Sequence, residues 1–441
     1  MFKRCLGVAA VVIAFFGLAS TGRSTDADLR AMRLSSRSGP DYVPGRVIVA
    51  FASTSEQSVA ERAIRSVGGR SAWRSPHGGH YVVTLDGDVS VMDAVTAFRG
   101  MRDVEYAEPD YIAHAHFRPN DPFFSEQWNM LLLNAERTWD IQRGDTSVIV
   151  AVLDTGIAFE DFDVYRKAPD WGNTRFVPGF DFINRDSHPN DDDGHGTHVS
   201  STIAEATDNA TGVAGLAFGC SLMPVKVLDS QGNGPFSAIA EGLDFAVANG
   251  AKIVNMSLGG EFESQTARLA VNRAVAAGVT VIASSGNEER SSVSFPAAFP
   301  NVIAVGALDP ARQRAPYSNF GTALDVVAPG GNLVDNRGGR LDVDRDGLPD
   351  GVLQQTLDFR LAPPARFQRF IYAYFQGTSM AAPHVSATAA LLYTQGIREP
   401  AAIQAAIEST AQDLGPPGRD DQYGFGMVRP VEALRGLGLN K

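Results

Sequence analysis

From residue 147 onward the chain alternates short, largely apolar runs with segments of helical periodicity. The runs fall at 148–153, 222–227, 253–256, 279–283 and 302–305, too continuous for strands with one wet face and suited to strands buried on both. Ile239, Leu243, Ala246 and Val247 mark the apolar stripe of one intervening helix. Strand and helix in alternation predict an α/β fold, a mostly parallel sheet flanked by helices with right-handed crossovers. Such sheets bind their ligands beyond the carboxyl ends of the strands, so chemistry is expected just after each apolar run.

Residues 42–116 follow a different rhythm. Runs at 46–51, 80–85 and 104–107 read as strands and alternate with amphipathic stretches at 55–67 and 91–101, the second with Val91, Val95 and Phe98 on one face. The order β-α-β-α-β, with room for one more strand, predicts a small α+β domain preceding the larger one. At the start of the chain Lys3 and Arg4 precede an apolar run over 6–18, with the small residues Gly17, Ala19 and Ser20 at its end. That is the layout of a secretory signal peptide, assigned to 1–21 with a linker over 22–41. It predicts a secreted protein, extracellular or periplasmic, with no membrane span once the signal is removed.

Charge and cysteine content narrow the partners. Residues 1–116 carry 13 basic and 12 acidic side chains of the 38 and 50 in the whole chain, so the rest carries 25 and 38, a net charge of −13. A body that acidic repels a phosphate backbone, which excludes nucleic acid as a partner. Of the 2 cysteines, Cys5 precedes the apolar run and leaves with it. Cys220 alone cannot form an internal disulfide, so an exported protein of this kind needs another stiffener.

Three polar residues stand where a parallel sheet keeps its chemistry. Asp154 ends the first run in Leu153-Asp154-Thr155-Gly156, His195 lies in Gly194-His195-Gly196-Thr197-His198, and Ser379 lies in Gly377-Thr378-Ser379-Met380-Ala381-Ala382-Pro383-His384. A serine hydroxyl becomes a useful nucleophile when a histidine takes its proton and a buried carboxylate fixes that imidazole's tautomer. The order Asp, His, Ser is one of the known orders for this arrangement. On these three signatures the sequence resembles the subtilisin-like serine proteases, most closely their thermitase-type branch, over about residues 43–435.

The resemblance implies roles. Asp154 would orient, His195 would act as general base and then acid, and Ser379 would attack the peptide carbonyl, while His198 and His384 are structural. Asn287, in Ser284-Ser285-Gly286-Asn287, matches the family's oxyanion asparagine. Gly232-Asn233-Gly234 and Ser257-Leu258-Gly259 resemble the two segments that hold a protein or peptide substrate as an added strand. Glu288 is read either as a carboxylate at the mouth of the primary pocket or as a solvated surface residue. Residues 42–116 resemble an inhibitor-like propeptide, an intramolecular inhibitor and folding aid, cut after His116 to release a monomeric catalytic domain over 117–441. A catalytically silent binding protein on the same scaffold is the competing reading, and the complete triad opposes it.

Calcium is the expected stiffener, since loop oxygens can crosslink distant segments. By resemblance Asp121, Asp163 and Asn209 would supply side-chain oxygens, and Thr207, Thr211 and Val213 carbonyls, to a strong site. Asp181, Asp186 and Asn190 resemble a second site, and the carboxylates at 191–193 read as a solvated turn. An insertion at about 331–375 contains Asp342, Asp344, Asp346 and Asp350 at loop positions 1, 3, 5 and 9, with Gly347 at 6. Leu353 at position 12 lacks the bidentate carboxylate of an EF-hand, so this is a partial calcium loop.

Overall fold

The computed structural model describes residues 42–112, 117–334 and 339–436, which form two compact units separated between 112 and 117. The signal peptide, the linker, the peptide Ala113-His114-Ala115-His116 and the cut after it lie outside the described residues.

The first unit runs β1 (Tyr42–Phe51), α1 (Gln57–Ser66), β2 (Gly69–Arg74), β3 (Tyr81–Leu85), α2 (Val91–Arg99) and β4 (Val104–Tyr111). Its antiparallel sheet has the order β2-β3-β1-β4. Val47, Val49, Tyr81, Val83 and Leu85 pack beneath Ala60, Ile64, Ala94, Val95 and Phe98 of the two helices. β2 is the strand for which the pattern left room. It is an edge strand with exposed side chains, Trp73 among them, so nothing apolar alternates along it.

The second unit opens with α3 (Trp128–Leu132) and α4 (Ala135–Ile141). Then come β5 (Ile149–Asp154), β6 (Arg175–Phe176), β7 (Phe180–Asp181), α5 (His195–Ala204), β8 (Ser221–Lys226), α6 (Phe236–Ala248), β9 (Ile253–Met256), α7 (Gln265–Ala276), β10 (Thr280–Ser284), β11 (Val302–Leu308) and β12 (Val326–Pro329). A hairpin, β13 (Val352–Leu357) with β14 (Phe370–Phe375), leads into α8 (Thr378–Thr394), followed by α9 (Pro400–Thr410) and α10 (Pro430–Arg435). The main sheet is parallel throughout, in the order β12-β11-β10-β9-β5-β8-β6, with β7 also on β8.

β5 is the first long strand and lies inside the sheet, and the chain crosses from β8 on one side of it to β9 on the other. That reversal opens a crevice beyond the carboxyl ends of these strands. Strand alternation then decides what faces it. Val150 and Val152 point into the core shared with α5 and α8, and Ala151 and Leu153 into the core shared with α6 and α7. Asp154 has the parity of Val150 and Val152, which puts its carboxylate on the α5 and α8 side.

Candidate active site

Asp154 is wholly buried at the end of β5, and its Oδ1 accepts the Thr155 N–H at 2.8 Å and His195 Nδ1–H at 2.7 Å. His195 is the first residue of α5, behind Gly194 in the left-handed region at φ +116°. Burial lowers the imidazole's proton affinity. The charge and hydrogen bond of Asp154, with the charges of Asp193 and Asp191, outweigh it and lift the pKa from 6.5 to about 9. With Nδ1–H given to Asp154, Nε2 is left as the basic nitrogen, and no hydrogen bond engages it among the described residues.

Ser379 lies in the first turn of α8. Pro383, four residues on, has no N–H to give the Ser379 carbonyl. The Ser257 hydroxyl takes that place at 2.8 Å, and Ser379 Oγ in turn donates to the Ser257 carbonyl at 3.2 Å. The segment after β9 is thereby stitched to the nucleophile's turn. Asn287 follows β10, and its Oδ1 accepts both the N–H and the hydroxyl of Thr378, at 2.8 and 2.9 Å. Its Nδ2 is thus turned outward as a donor. A Cβ placed on Gly377 would lie 3.6 Å from both Asn287 Nδ2 and the Ser379 nitrogen, so the two N–H donors flank one small volume beside the serine. Glu288, read two ways above, is exposed, and its Oε2 accepts the Asn287 N–H and Asn319 Nδ2.

Several supports were not legible as motifs. Asp191, read as part of a solvated turn, is 1% exposed, and its carboxylate accepts the Thr155 hydroxyl, the Asp193 and Gly194 N–H groups, and the N–H and hydroxyl of Thr197. It joins the residue after Asp154 to the start of the His195 helix. Lys226 is buried at the end of β8, and its Nζ donates to the Thr155 carbonyl and Asp192, both at 2.6 Å. His198 donates Nε2–H between the carbonyls of Val352 and Ala373, and His384 donates Nδ1–H to Met380 while accepting from Asn129. Burial pushes both imidazoles down, to about 3 and about 4. They are neutral structural groups.

Gly232, Asn233 and Gly234 form an exposed irregular stretch, with Asn233 held by Asp229. Ser257, Leu258 and Gly259 lead into a backbone bridge between Gly260 and Phe295.

One expected calcium ligand is misplaced. Asp163 sits exposed at the tip of a tight turn closed by Phe162 and Tyr165, at φ +47°. The carboxylate that meets the 207–213 loop is Asp170, wholly buried, accepting Asn209 Nδ2 at 2.8 Å and the Val213 N–H at 2.9 Å. The turn at 162–165 carries Asp163 outward. Asp121 accepts the Asp208 N–H at 2.7 Å, and its Oδ1 is buried with no hydrogen-bond partner. Burial lifts Asp121 to about 6 and Asp170 to about 7. Buried carboxylates with an orphaned oxygen suit a hard cation.

At the second place, Asp181 and Asp186 pair through their backbones, and Asn190 Oδ1 is buried without a partner. Within the insertion, carboxylate oxygens of Asp342, Asp344 and Asp350 lie within 4.8 Å of one another. Asp346 stands outside that group and caps the Leu348 N–H.

Comparison with known proteins places the chain. Residues 145–426 match the model of the subtilase family (peptidase S8), and residues 30–110 match the fervidolysin N-terminal prodomain, beginning inside the stretch read as a linker. The thermophilic serine proteinase of Bacillus sp. strain AK1 is 34% identical over 87% of this chain and 86% of its own length. Thermitase of Thermoactinomyces vulgaris is 34% identical over 72% of this chain and all of its own. A solved protease of Pseudoalteromonas arctica superposes with a TM-score of 0.61 at 33% identity, covering 72% of this chain and 98% of that one.

Proposed function

Because the chain belongs to the subtilase family and carries a prodomain, it is a serine endopeptidase, and we propose that Asp154, His195 and Ser379 are its catalytic triad. The observation that carries this reading is the pair of donors beside Ser379 together with an imidazole whose Nδ1–H is already committed to Asp154. His195 Nε2 takes the Ser379 proton as Oγ attacks the peptide carbonyl. Asn287 Nδ2 and the Ser379 N–H receive the oxyanion, which they meet without reorganising. The imidazolium gives its proton to the leaving amine, and a water activated by the same nitrogen releases the acyl group. Protein substrates lie as an added strand between 232–234 and 257–259, held through their main chain, which suits broad specificity.

The chain is made with a signal peptide over 1–21 and a linker over 22–41. Its prodomain, 42–116, serves as intramolecular inhibitor and folding aid. The mature domain, 117–441, is exported as a monomer. Asp121, Asp170 and Asn209, with carbonyls of Thr207, Thr211 and Val213, would hold a calcium ion that crosslinks the amino terminus to two loops. Asp181, Asp186 and Asn190, and the insertion's Asp342, Asp344 and Asp350, are further oxygen clusters for the same cation.

Ser379→Ala tests the reading. It is expected to accumulate with residues 42–116 still attached and to leave casein intact, while the unmodified chain matures to a new amino terminus at Phe117, read by mass spectrometry. Normal maturation of the purified variant would refute self-processing by this serine.

A further inference from the structure

The peptide unit joining Gly194 to His195 helps set the direction in which the imidazole leaves the backbone, because the His195 Cα lies in its plane. Both polar ends of that unit are held. The His195 N–H donates to Asp193 Oδ1 at 3.1 Å, and the Gly194 carbonyl accepts the Thr356 hydroxyl at 2.6 Å. Thr356 is wholly buried in β13, paired with Ile371 of β14, far from Gly194 in sequence. The approach is close enough that a Cβ on Gly194 would meet Thr356 Oγ1 at 2.7 Å.

The hairpin that brings Thr356 there is tied to both halves of the chemistry. Its second strand runs within a few residues into Gly377 and Ser379, and its carbonyls at Val352 and Ala373 receive His198 from the same helix that begins with His195. One rigid piece therefore carries the nucleophile on its chain and the base on its hydrogen bonds.

We propose that Thr356 is a positioning residue for His195: its hydroxyl fixes the Gly194 carbonyl, and so the direction of the base toward Ser379. This rests on the triad assigned above. The Gly194 carbonyl keeps the His198 N–H at 3.2 Å when the hydroxyl is removed, so no buried acceptor is left bare and the fold tolerates the loss.

Thr356→Ser keeps the hydroxyl, and Thr356→Val and Thr356→Ala remove it. In mature enzyme counted by active-site titration, the alanine and valine variants should lose about tenfold or more in kcat with KM nearly unchanged, since small misplacements of a reacting group are costly in rate. Their inactivation by phenylmethylsulfonyl fluoride, which also needs His195 to activate Ser379, should slow in parallel, and the serine variant should match the parent in both. Should the valine variant not fold, the alanine variant decides. A kcat within twofold of the parent for the hydroxyl-free enzyme overturns the proposal, as does a serine variant as slow as alanine, which would assign the effect to the methyl group. Failure of the triad itself would show separately, as casein hydrolysis by Ser379→Ala.

Discussion

Asp154→Asn probes the charge behind the base. The carboxylate is wholly buried, and its Oδ1 stands 2.7 Å from His195 Nδ1. Burial by itself would lower the imidazole's proton affinity. Asp154 reverses this, with Asp193 and Asp191 adding, and the pKa rises from 6.5 to about 9. At about 1.4 kcal/mol for each tenfold change in proton affinity, the folded surroundings taken together, burial included, favour the imidazolium by about 3 kcal/mol. The ring is 26% exposed, and water there screens part of that figure. Since catalysis needs neutral imidazole, kcat/KM of the parent enzyme should rise with pH along a limb centred above 6.5. In Asp154→Asn the limb should move down by about one pH unit or more, and kcat should fall by about 10⁴, as expected when an amide selects the wrong tautomer.

The same shift has a stability consequence. A folded pKa above the unfolded one stabilises fully below pH 6.5, and the stabilisation is lost as pH rises through about 9. Urea unfolding of Ser379→Ala, with and without Asp154→Asn, should therefore differ most below about pH 6.5 and converge as pH rises through about 9. A limb at or below 6.5 in the parent, or an unmoved limb in the variant, would refute the reasoning.

Asn287→Ala should lower kcat by about 10²–10³ with little change in KM, because its amide acts on charge that exists only in the transition state; an unchanged kcat on a peptide anilide removes it from the oxyanion site. Excess chelator should shorten the half-life at elevated temperature, since an ion bound only by the native form stabilises by mass action. Asp170→Asn should reproduce that loss and Asp163→Asn should not, and the reverse result would restore Asp163 to the site. Cys220 is buried and its thiol is pushed up to about 12 by burial, so iodoacetamide should leave the native enzyme active, and Cys220→Ser should retain its activity in a casein assay.

The fold class and the candidate reacting residues were legible in the sequence for a local reason. A strand buried on both faces must be apolar along its length, so the runs ending at Asp154 and preceding Ser257 and Ser284 announce themselves. The glycine-flanked signatures around His195 and Ser379 are equally local, since each depends on a tight backbone turn into a helix.

What holds these residues in register is not local. Asp191 reads as one of three acidic residues in a polar turn, and only the packing of α5 against β5 buries it and gives it five donors. Asp170 and Asp163 are both loop aspartates after the same strand. The turn at 162–165, rather than residue type, decides which one faces outward. Thr356 lies in a strand of mixed polarity with no signature at all, and meets Gly194 only because the hairpin lies across the start of α5. Pattern along a chain records which residues must be buried or must turn. Which distant polar groups satisfy one another is decided when the chain closes, because the cost of an unpaired buried donor or acceptor is paid only there.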